Sequence, residues 1–103
     1  MNDRELLTLA AKASNRAVGV YLGDELGFEA PFFGEWNPLN DDGDALRLSV
    51  KLNMHLDINE YEAIAYVVNT NGFKENATMG YGIEEATRRA IVRAAAAIGE
   101  SMP

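Results

Sequence analysis

The stretch from Trp36 to Leu52, W-N-P-L-N-D-D-G-D-A-L-R-L-S-V-K-L, constrains the fold more than any other part of the chain. Pro38 disfavours the helical region for Asn37, so the chain is expected to arrive there extended. Asn40 or Asp41 can then cap a helix, and Asp44 falls three residues beyond Asp41, near the first orphan N–H groups. Three aspartates within one turn also suit the positive end of a helix dipole. The helix is expected to run over residues 41–54. Leu46, Val50 and Met54 follow one row, and Ala45, Leu48 and Leu52 broaden the apolar face. A stripe that wide predicts a helix buried on more than one side. Arg47 and Lys51, four apart, would form a small positive patch on its exposed side.

Around this helix the chain alternates between two periods. Residues 2–14 read as a docking helix, with Asn2 and Glu5 resembling a capping box. Leu6, Leu9, Ala10 and Ala13 form its stripe, with Leu7 on the edge. Residues 17–22 read as a strand and 28–33 as a second short one, which Pro31 demotes to an edge or an irregular segment. Residues 55–59 and 62–69 read as two strands joined around Asn59-Glu60-Tyr61, and Asn71-Gly72 signals a turn. The segment 73–82, F-K-E-N-A-T-M-G-Y-G, reads as a loop and as the most mobile part of the chain. Ile83, Thr87, Ala90, Ile91, Ala94 and Ile98 form the last helical stripe, with Gly99 placed as a left-handed cap. Ala94 to Ala97 give that helix a smooth surface for close approach.

These elements predict one α+β domain over residues 1–103. A small, mostly antiparallel sheet is packed on one face by three helices, in the order α-β(β)-α-β-β-α, because short connections favour antiparallel pairing. A sheet covered on one side in a chain of 103 residues leaves apolar area exposed. A homodimer through the alanine-rich helix or an edge strand is therefore a possible arrangement.

Composition removes several function classes. Sixteen acidic against nine basic residues give a formal net charge of -7. That excess disfavours direct binding to nucleic-acid backbones and anionic membranes, and leaves room for basic protein partners. The chain has no cysteine, which excludes disulfides and thiolate metal sites. No apolar run reaches the length of a membrane span, and the N-terminus is unlike a secretory signal, so a cytoplasmic setting is expected.

No set of residues compels a reaction. Asp41, Asp42 and Asp44 invite a magnesium site, but capping and dipole effects already account for acids there. An EF-hand register with Gly43 at its sixth position would put Pro38 first and Ser49 twelfth, so that pattern fails. His55, the only histidine, lacks a second imidazole or a thiol. A general-base role would need Asp57, two residues on along the same strand face. No catalytic residue, metal ligand or cofactor is therefore assigned. Candidate binding residues are Trp36, Phe33 and Tyr81 as aromatic surfaces and Arg89 with Arg93 as cations four apart on one helix face. The plainer reading has the aromatics closing the core and Arg88, Arg89 and Arg93 pairing with Glu84, Glu85 and the aspartates near residue 42. The sharper one has them hold a protein or a nucleotide-like, phosphate-bearing ligand. A metal-dependent hydrolase built on the three aspartates is a third possibility.

The motifs also carry a resemblance. W-N-P-L-N-D-D-G-D-A-L-R-L-S-V-K-L and A-T-R-R-A-I-V-R-A-A-A-A-I-G-E-S-M-P, together with the N-terminal M-N-D-R-E-L-L-T-L-A-A-K-A, resemble a group of small proteins encoded by tailed phages and prophages of proteobacteria. Residues 19–35 and 53–81 match less well. The resemblance implies a setting, a phage accessory protein in the host bacterial cytoplasm, and no catalytic residues. The expected function is therefore binding and modulation of a host or phage protein, such as a defence or regulatory factor.

Overall fold

A computed structural model describes residues 2–14, 36–67, 73–76 and 82–102. In chain order they form α1 (Asp3–Ala13), α2 (Asp42–Lys51), β1 (His55–Ile58), β2 (Glu62–Tyr66), β3 (Phe73–Asn76) and α3 (Ile83–Ser101). The strands form an antiparallel sheet in the order β1-β2-β3, and α3 packs across β2 and β3. This is the α+β layout that the sequence predicts. The strands expected over 17–22 and 28–33, and the Asn71-Gly72 turn, lie outside the described residues.

The capping chemistry around residue 41 sets the position of α2. Asn37 opens a turn in which its carbonyl accepts from the N–H groups of Asn40 (3.0 Å) and Asp41 (2.9 Å), with Pro38 at the position where a fixed φ helps most. Asp41 is the N-cap, and its Oδ2 accepts from the Asp44 N–H at 2.7 Å. Asp44 then reaches back to accept from the Asn37 N–H at 2.9 Å, tying the helix to the turn before it. Pro38 is almost fully buried, and Trp36 and Leu39 join the core beside it.

The far end of α2 corrects the expected boundary. The helix stops at Lys51, because Asn53 takes a left-handed conformation with φ 55°. The Met54 N–H donates to the Ser49 carbonyl (2.9 Å) and the Asn53 N–H to the Val50 carbonyl (3.1 Å), the paired bonds of a Schellman ending. Met54 therefore leads into β1 and does not complete the helical row.

The last helix differs from its expected ending in the opposite sense. Gly99 is an interior helical residue, and α3 continues to Ser101. A Cβ at Gly99 would overlap the Leu9 carbonyl oxygen of α1, so glycine serves close approach there and not a left-handed cap. Asp3 meets Arg89, Leu9 meets Gly99, and the Lys12 Nζ donates to the Met102 carbonyl. The two helices therefore run in the same direction. Small residues of both helices, Ala10 and Ala11 on α1 and Ala94, Ala95 and Ala96 on α3, belong to the same core. The stripe of α1 also shifts: Leu7 and Ala11 are buried, whereas Leu9 is only half-buried.

The sheet alternates as its period requires. Ala63 and Ala65 of β2 are buried beneath α3, and Glu62, Ile64 and Tyr66 on the other face are half-buried. The hairpin from β1 to β2 closes at Asn59, whose side-chain oxygen accepts from the N–H groups of Tyr61 and Glu62. β3 corrects the expected loop. Phe73–Asn76 pairs along β2, from Ala65↔Phe73 to Glu62↔Asn76. Its sequence, F-K-E-N, has low strand preference, and pairing with β2 overrides it.

Candidate functional site

The three aspartates form no gathered site. Asp41 and Asp44 accept backbone hydrogen bonds, Asp44 Oδ1 also pairs with Arg47 at 2.7 Å, and Asp42 pairs with Arg88 across to α3 at 2.6 Å. Arg88 further donates from Nε to the Leu39 carbonyl at 2.9 Å, so it anchors the start of α2 to α3. Among the described residues no group of acidic, histidine or cysteine side chains is placed to hold a metal ion. Arg47 folds back over Gly43, where a Cβ would come within 3.2 Å of its guanidinium, so Arg47 is drawn to the helix start and away from a patch with Lys51.

The described candidates, Trp36, Arg89 and Arg93, do not converge on one surface. Trp36 is 3 % exposed and sits in the core, which corrects its reading as an exposed stacking platform. Arg89 lies beside α1, 3.5 Å from Asp3, and Arg93 lies half-buried one turn further along α3. Phe33 and Tyr81 lie outside the described residues. His55 and Asp57 are both exposed on the sheet face away from the helices, and the imidazole stacks on Tyr66 with ring centres 5.2 Å apart.

A different surface emerges instead. The row Leu46 and Val50 on α2 is 58 % and 66 % exposed, which corrects the expectation that α2 is buried on more than one side. Only Ala45, Leu48 and Ser49 of this helix are fully buried. On β1, Leu56 lies opposite Ala65 and Ile58 opposite Ala63, so both point to the helix-bearing face of the sheet. Yet they are 37 % and 48 % exposed, because no described element covers them as α3 covers the alanines.

Between Leu46, Leu56 and Ile58 runs an open groove of about 350 Å³. Ala45 and Leu46 form one side, Leu56 and Ile58 a second, and Ile83, Thr87 and Ile91 of α3 a third, with Asp42, Glu84 and Arg88 at the rim. The volume is near the lower limit of small-ligand pockets, and such pockets ordinarily bring a few polar groups to a point. Here the Thr87 hydroxyl donates to the Ile83 carbonyl, and Asp42 and Arg88 neutralise each other. What remains suits apolar side chains. Sequence reading missed this site because an apolar helical row signals burial in general and does not say which partner provides it.

No described helix is long and apolar enough to cross a membrane. In comparisons with protein-family models, curated proteins and solved structures, nothing matched this chain.

Proposed function

We propose that this protein acts by binding another protein through the face built from α2, β1 and the first half of α3. The observation that carries this reading is the exposure of Leu46, Leu56 and Ile58 around one groove, with Val50 exposed one turn along α2 from Leu46. Contiguous apolar surface of this kind favours association, because covering it removes apolar area from water at about 25 cal/mol per Å². The formal charge of -7 supports a protein partner over a nucleic acid or an anionic membrane. With the resemblance to phage and prophage proteins, the reading becomes an accessory protein in the host bacterial cytoplasm. It modulates a host or phage factor, a defence or regulatory protein being the specific form, by occupying part of that factor's surface.

The test is retention of a partner from host lysate at native salt, with and without phage. Wild-type protein should retain a partner that a Leu46→Glu/Val50→Lys double variant does not. Both positions are exposed, so the variant should fold and melt as the wild type does. Equal retention by the two proteins, or none by either, would overturn the reading.

A further inference from the structure

We infer that the β1 edge of this face pairs with the β1 edge of a second copy, in antiparallel register centred on Leu56. The inference rests on reading the face as a protein-binding surface, and it names an occupant for its edge. β1 ends the strand order, all four of its residues are exposed, and its outer edge pairs with no described residue. Asn59 donates to the Glu62 carbonyl at 3.0 Å, which makes that pair a hydrogen-bonded one. By the alternation of an antiparallel ladder, His55 and Asp57 spend their backbone groups on β2. The N–H and C=O groups of Leu56 and Ile58 then turn outward, with no partner among the described residues.

Charge selects the register. Centred on Asp57, two antiparallel copies of β1 set Asp57 against itself, and like charges directly opposite are destabilising. Centred on His55, they set His55 against itself and Asp57 against Asn53. Centred on Leu56, each Asp57 meets the second copy's His55, on the side of the imidazole not taken by Tyr66. On the other face Leu56 meets its own copy and Ile58 meets Met54, so apolar opposes apolar throughout. Leu56 exchanges both backbone hydrogen bonds with its counterpart. The Ile58 N–H reaches the Met54 carbonyl, which is compatible with the Met54 N–H already donating to Ser49. The second copy's Leu56 lies on the same face as the first, so pairing widens the apolar floor of the groove. The other route to a homodimer is closed: Ala94, Ala95 and Ala96 are at most 4 % exposed, already packed inside the chain.

Sedimentation equilibrium of the full chain, from low micromolar to near-millimolar concentration, tests this. The wild type should show a reversible monomer–dimer equilibrium. Ile58→Pro removes an outward N–H that the β1–β2 ladder does not use, and should leave a folded monomer. His55→Asp and Asp57→His each set like residues opposite one another and should weaken the dimer roughly tenfold. The double variant H55D/D57H restores opposite partners and should recover most of that loss. A wild type that stays monomeric overturns the inference, as does a dimer indifferent to Ile58→Pro or a double variant no better than the singles. A monomer that still retains a lysate partner, lost on Leu46→Glu/Val50→Lys, overturns the dimer alone. A dimer without any lysate partner overturns the modulator reading alone.

Discussion

At Asp41 a single carboxylate decides where α2 begins. Its Oδ2 accepts the Asp44 N–H at 2.7 Å, an orphan donor that water would otherwise have to satisfy. Asp41→Ala should lower stability by about 1 kcal/mol, and Asp41→Ser, which keeps a cap acceptor, by much less, as measured by urea denaturation. A metal ligand would behave differently, since serine replaces a carboxylate poorly as a magnesium ligand. This residue was legible in the sequence because capping depends on a spacing of three, which the chain spells out. Trp36 was not. An aromatic beside a proline reads as core on the plainer view and as platform on the sharper one, and its 3 % exposure, in a core it shares with residues far along the chain, decides for the first. Asn53 lies between the two cases: asparagine tolerates positive φ, but a helical row running on to Met54 conceals the stop.

Among the elements, the contact of α1 with α3 depends most on one position. Gly99 lets the two backbones approach, and a methyl group there would meet Leu9 backbone, which cannot rotate out of the way. Gly99→Ala would gain about 1 kcal/mol of helix propensity in isolation. The overlap should outweigh this and leave the protein destabilised by roughly 2–3 kcal/mol, seen as a fall in the denaturation midpoint. An increase in stability would mean that α1 does not lie against this end of α3. The helices were legible as elements because their apolar rows repeat over many turns. Their mutual direction was not, since helical periodicity says which face is buried and nothing of the partner's orientation. β3 was invisible for a related reason: F-K-E-N becomes a strand through pairing with β2, and pairing partners leave no mark in a short polar segment.

For the molecule as a whole, the decisive feature is an apolar row that the chain's described parts leave uncovered. α3 buries the alanines of β2, and α2 buries Ala45 and Leu48, but Leu46, Leu56 and Ile58 remain in water around a common groove, and Val50 is exposed one turn further along α2. The antiparallel layout was legible from the sequence. The groove was not, because it arises from how α2, β1 and α3 are set around it, an arrangement no local pattern encodes. Photo-crosslinking in host cells tests its role most directly. A benzophenone side chain placed at Val50, within the face, is compared with one at Glu100, which is also exposed but at the end of α3. Discrete protein adducts are expected from position 50, with either a second copy or another protein, and none of comparable yield from position 100. Equal yields from both positions, or none from position 50, would contradict the assignment of this face to protein binding.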